Sequence, residues 1–93
     1  MELSTLDLAK ARETARAILE ELRLEAYLFE VEPKNDVWEL KIECVCEIDG
    51  GWEMLTLRVP KQMLLDSHED LSAEQSLIDY WRTKLAGCKL RAE

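Results

Sequence analysis

Trp38, Leu40, Ile42, Cys44, Cys46 and Ile48 take every second position of one stretch, with Glu39, Lys41, Glu43, Val45 and Glu47 between them. A helix would scatter these side chains around its whole circumference, whereas a strand puts the first set on one face and the second on the other. The chain must therefore build a sheet that is dry on one side, and something else must cover that side. The flanking sequence follows the same rule. Tyr27, Phe29 and Val31 alternate with Leu28, Glu30 and Glu32; later, Leu55, Leu57 and Val59 alternate with Trp52, Met54, Thr56 and Arg58. Pro33-Lys34-Asn35-Asp36 and Asp49-Gly50-Gly51 separate the three runs with turn residues, so two hairpins are expected.

Keeping apolar opposite apolar fixes the parity of pairing, because a one-residue slip turns every side chain to the other face. The first hairpin is expected to set Val31 against Trp38, Phe29 against Leu40 and Tyr27 against Ile42. In the second, a turn at Gly50-Gly51 or a loop from Asp49 to Trp52 sets Arg58 against Glu43. A turn at Asp49-Gly50 sets Arg58 against Lys41 and is disfavoured by like charge.

Helical spacing brackets this sheet. Leu8, Ala11, Ala15, Ile18 and Leu22 form an apolar stripe in a segment of high helix propensity that runs to about Arg23, with Ser4 or Thr5 as N-cap. After the third strand, Pro60 stands as a first helical residue before Lys61 to Leu65, a short helix ending near Ser67. Ser72-Ala73-Glu74-Gln75 reads as a capping box opening a longer helix, with Leu77, Ile78, Trp81 and Leu85 on one side and Gly87 just beyond its end. The expected fold is a two-layer α+β sandwich: a three-stranded antiparallel sheet with helices on one face, in the order α-β-β-β-α-α. A chain of 93 residues without repeats or linkers supports one modest core, read as a single domain over 1–93.

Charge narrows the function. The first 24 residues hold four basic and five acidic side chains, residues 25–59 hold three and nine, and the remainder hold five and six. The formal charge of −8 thus belongs mostly to the sheet. Nucleic acid and anionic membrane are repelled by such a surface. The element order is similar to that of double-stranded RNA-binding domains, a resemblance that implies a basic cluster at the start of the last helix. Here that region reads His68-Glu69-Asp70 and Ser72-Ala73-Glu74-Gln75, so the resemblance is confined to topology. An acidic mimic of nucleic acid is the reading of this kind that the charge permits. No apolar run reaches the ~20 residues needed to span a bilayer, and the N-terminus lacks the pattern of a signal peptide, so a cytoplasmic protein is expected.

Cys44 and Cys46 alternate on one strand, near the outer limit of disulfide reach, and should not pair with each other. Together with Cys88 they are read as reduced thiols, with Cys44 buried in the core. A thiol- or metal-dependent role for Cys44, Cys46 and Cys88, with His68 as a further ligand, is the alternative; the spacing is not that of a structural zinc site, and no metal or other cofactor is expected. Asp66-Ser67-His68-Glu69-Asp70 contains the residue types of a hydrolytic triad, but sequence adjacency does not converge them on a pocket, and no enzyme is expected.

The outer sheet face is the more informative surface. Val45, Trp52 and Met54 project there, with Glu43 and Glu47 around them. Exposed Trp and Met grouped with carboxylates mark either an interface or a face partly covered by the C-terminal residues 88–93 or by long side chains. The expected function is a small protein-interaction module that binds a protein partner, favoured to be basic, or a second copy of itself.

Overall fold

A computed structural model describes residues 5–91. Helix α1 (Thr5–Glu21) leads into strands β1 (Tyr27–Glu32), β2 (Val37–Val45) and β3 (Trp52–Pro60), followed by helices α2 (Lys61–Asp66) and α3 (Leu71–Lys84). The strands form one open antiparallel sheet in the order β1-β2-β3. Its inner face presents Val31, Trp38, Leu40, Ile42, Cys44, Leu57 and Val59, all buried. They join Ala11, Ala15, Ile18 and Leu19 of α1, Leu64 of α2 and Leu77, Ile78 and Trp81 of α3 in one cluster. The α+β architecture and its element order are those that the alternating and helical patterns require.

Parity holds in both hairpins, but both registers move. Val31 stands opposite Leu40, Phe29 opposite Ile42 and Tyr27 opposite Cys44, two residues along β2 from the expected partners. Val37 and Trp38 pair only with β3, and Lys61 N–H donates to the Asp36 carbonyl at 2.7 Å, holding the loop open beyond the turn residues. Arg58 stands opposite Glu39, not Glu43 or Lys41. Opposite charges still meet, but four residues along β2 from the favoured pairing. The turn begins earlier than its glycines suggest. Cys46 N–H donates to Gly51 O at 2.7 Å and Gly50 N–H to Cys46 O at 2.9 Å, so residues 47–50 make the turn, with Gly50 at φ +73. A left-handed residue at that corner is what glycine supplies without steric cost. Ile48, expected on the core face, is instead 94% exposed at the tip.

Helix boundaries differ in detail. Ser4 lies outside the described residues, and Thr5 is already helical. Pro60 is the N-cap of α2, one position earlier than expected, because it still pairs with Val37. The N-cap of α3 is Asp70, not Ser72.

The C-terminal segment completes the sheet. Where β1 and β2 part beyond the Tyr27–Cys44 pair, Cys88 pairs with Cys46 and Leu90 with Leu24, both antiparallel. Lys89 N–H donates to Val45 O at 2.7 Å and Arg91 N–H to Arg23 O at 2.7 Å, so the segment is bonded on both edges. A disulfide joins Cys44 to Cys88 across a Cα–Cα distance of 5.7 Å. The expectation of reduced thiols is thereby corrected for these two residues. Cys46 alone remains a free thiol, and it is partly exposed.

Candidate interaction face

The outer side of the sheet is built row by row from the ladders. Leu28 lies opposite Glu43, and Glu43 opposite Met54; the next row sets Val45 against Trp52. All five point away from the helical layer because their parity is opposite to that of Ile42, Cys44 and Leu55. Leu28, Trp52 and Met54 are 62%, 58% and 61% exposed. Val45 and Glu43, on the central strand, are half-buried by these neighbours. Leu28, Glu43 and Met54 also line a shallow depression with Phe29, Glu30 and Lys41. Among the described residues the C-terminal segment does not cover this face, since Cys88 to Leu90 is inserted at the end of the sheet, between Leu24 and Cys46.

Four of the five residues singled out from sequence are therefore brought together: Glu43, Val45, Trp52 and Met54. Glu47 is not. It belongs to the turn after β2, where its N–H donates to Gly87 O at 2.9 Å, and its side chain borders a separate depression with Leu22, Leu24, Arg82, Leu85 and Leu90. Leu28 is the member that sequence places wrongly: the alternation puts it on this face, but the expected register sets it beside Lys41 instead of Glu43.

Charge divides the face in two. At the end nearer the first hairpin, Lys41 Nζ lies 2.7 Å from Glu32, Lys34 Nζ lies 3.2 Å from Glu32 and 3.7 Å from Glu39, and Arg58 lies 3.7 Å from Glu39. Hydrogen bonds from Lys41 and Lys34, with their positive charge, hold the Glu32 carboxyl below its ordinary pKa. The same contact raises the Lys41 ammonium above its own. Like charges at the Glu32–Glu39 pair are thus compensated by cations on either side. Glu30 stands opposite Lys41 and adds to the negative charge around that ammonium. At the other end, among the described residues, Glu43 forms no ion pair. An uncompensated carboxylate, Glu43, stands between two exposed apolar side chains.

The other chemistry-bearing residues do not form a comparable site. His68 Nε2 lies 3.5 Å from Glu13 Oε2, a contact between the α2–α3 turn and α1. Among the described residues no group of three or more His, Cys, Asp or Glu side chains is arranged to hold a metal ion. No helix among them is long and apolar enough to cross a membrane. No protein-family model matches the chain, and no curated protein or solved structure is significantly similar to it.

Proposed function

We propose that this protein is a small, non-enzymatic interaction module that binds a basic protein segment on its outer sheet face. Leu28, Val45, Trp52 and Met54 supply the apolar contact, and Glu43 anchors a cation. The observation that carries the reading is the grouping of three large apolar side chains, each more than half exposed, around a carboxylate with no cationic partner among the described residues. Interfaces concentrate their binding energy in aromatic and aliphatic centres rimmed by polar groups.

Charge selects the occupant. A Lys or Arg beside an apolar anchor complements Glu43, whereas a second copy laid on the same face sets Glu43 against Glu43. A nucleic-acid mimic requires a continuous row of free carboxylates, and Lys34, Lys41 and Arg58 interrupt that row at Glu32 and Glu39. The acidic excess disfavours nucleic acid and anionic membrane as ligands. A cytoplasmic location belongs to this proposal, and disulfides in reducing compartments are usually transient or redox-sensing, so Cys44–Cys88 is then a bridge that opens and closes.

The test is a nuclear magnetic resonance titration with two synthetic peptides of equal apolar content, one carrying Lys around a Leu-Trp centre and the other carrying Glu. The reading expects the cationic peptide alone to shift the amides of Leu28, Glu43 and Met54 and the Trp52 indole. Shifts confined to other surfaces, or equal shifts from both peptides, contradict it. Concentration-dependent sedimentation of the protein alone identifies a second copy as the occupant instead.

A further inference from the structure

We infer that Cys44, Cys46 and Cys88 form a thiol–disulfide exchange centre in which the bridge to Cys88 moves between Cys44 and Cys46. Cys88 sits on the sheet with two possible partners. Its present partner, Cys44, is fully buried, as is Cys88 itself. Cys46 is directly opposite Cys88, and the flanking bonds, Glu47 N–H to Gly87 O at 2.9 Å and Lys89 N–H to Val45 O at 2.7 Å, make them a non-hydrogen-bonded antiparallel pair. Cα atoms in such a pair lie about 4.5 Å apart with side chains on the same face, within the range a disulfide spans. The backbone therefore accepts either bridge, and the third thiol is held beside the first two by the ladder itself.

The exchange needs no oxidant. Cys46 loses its proton to solvent, and its thiolate forms a bond to the Cys88 sulfur as the Cys88–Cys44 bond breaks. The electron pair of that bond leaves on Cys44, which takes up a proton. One disulfide and one thiol are present before and after. The consequence is access: a bridge whose sulfurs are both buried is carried to a partly exposed position, where a small thiol of the glutathione class can reach it. The inference is independent of the interaction-face reading.

The test maps the free thiol of the oxidised protein. Wild type is held native above the ordinary thiol pKa of about 8.5, quenched in acid to stop exchange, denatured, alkylated and located by fragmentation between Cys44 and Cys46. Exchange puts alkyl groups on both residues, with the Cys44 fraction growing during the native incubation. In parallel, Cys44→Ala in a glutathione redox buffer should close a Cys46–Cys88 bridge and leave no free thiol. Label confined to Cys46 throughout, with two free thiols or only glutathione adducts in a folded Cys44→Ala, overturns the inference. If that variant does not fold, the wild-type map alone decides.

Discussion

The Asp70 side chain accepts the backbone N–H of Ser72 at 2.9 Å and that of Ala73 at 3.4 Å, closing the first turn of α3. Asp70 also carries its charge at the positive end of the helix dipole. Asp70→Ala should therefore lower stability by about 1 kcal/mol, measured by urea denaturation, while Ser72→Ala should cost less than half of that. Equal losses would return the cap to Ser72.

The Cys44–Cys88 bridge spans 44 residues and fastens the segment that fills the gap between β1 and β2. Closing a loop of that length stabilises by about 4 kcal/mol in the chain-entropy model, and measured bridges commonly give 2–4. Reduction should lower the unfolding free energy by that order and speed hydrogen exchange at the Glu25, Glu47, Lys89 and Arg91 amides, which bond to or within the segment. Unchanged exchange after full reduction would show that the backbone bonds hold the segment without the bridge.

Thr14 is 3% exposed on the inner side of α1, and its hydroxyl has no hydrogen-bond partner among the described residues. A buried, unsatisfied hydroxyl costs about 1–3 kcal/mol, and valine has nearly the same shape. Thr14→Val should stabilise the fold by about 1 kcal/mol in the same denaturation assay. A loss would mean that the hydroxyl is satisfied in solution.

The Glu32 carboxyl titrates below its ordinary value because Lys41 and Lys34 hydrogen-bond its charged form. A depressed folded-state pKa contributes stability above the unfolded carboxyl pKa, and that contribution is lost as pH falls through the folded one. Lys41, raised by the same contact, contributes below its unfolded pKa and loses its contribution as pH rises through the folded one. Lys41→Met should move the Glu32 midpoint upward in a carbon-detected titration. A stationary midpoint would leave Lys34 as the sole cause.

The fold is legible from alternation, because the period-two runs fix which side of each strand is buried. Register is not, since shifts of two or four residues keep the same faces matched; Lys34, Lys41 and Arg58 settle around whichever carboxylates the loops deliver. Cys44 pairs with Cys88 only because the last residues return to the sheet between Leu24 and Cys46, and no periodicity announces that path. Cys46 and Ile48 extend the alternation of β2, yet the ladder ends where the C-terminal segment enters and the chain turns. Parity alone puts Trp52, Met54 and Val45 on the outer face and survives the change of register; Glu47 is not on that face because the turn begins at it.

The most direct measurement is the affinity of the Lys-flanked peptide for a Trp52→Ser, Met54→Ser double variant, read beside its unfolding free energy. The variant is expected to stay folded, within about 2 kcal/mol of wild type, because both side chains point away from the core. Binding is expected to weaken at least about tenfold, a change of ~1.4 kcal/mol. A folded variant that binds as tightly as wild type would contradict the interaction face, and a variant that unfolds would show that this face is part of the core.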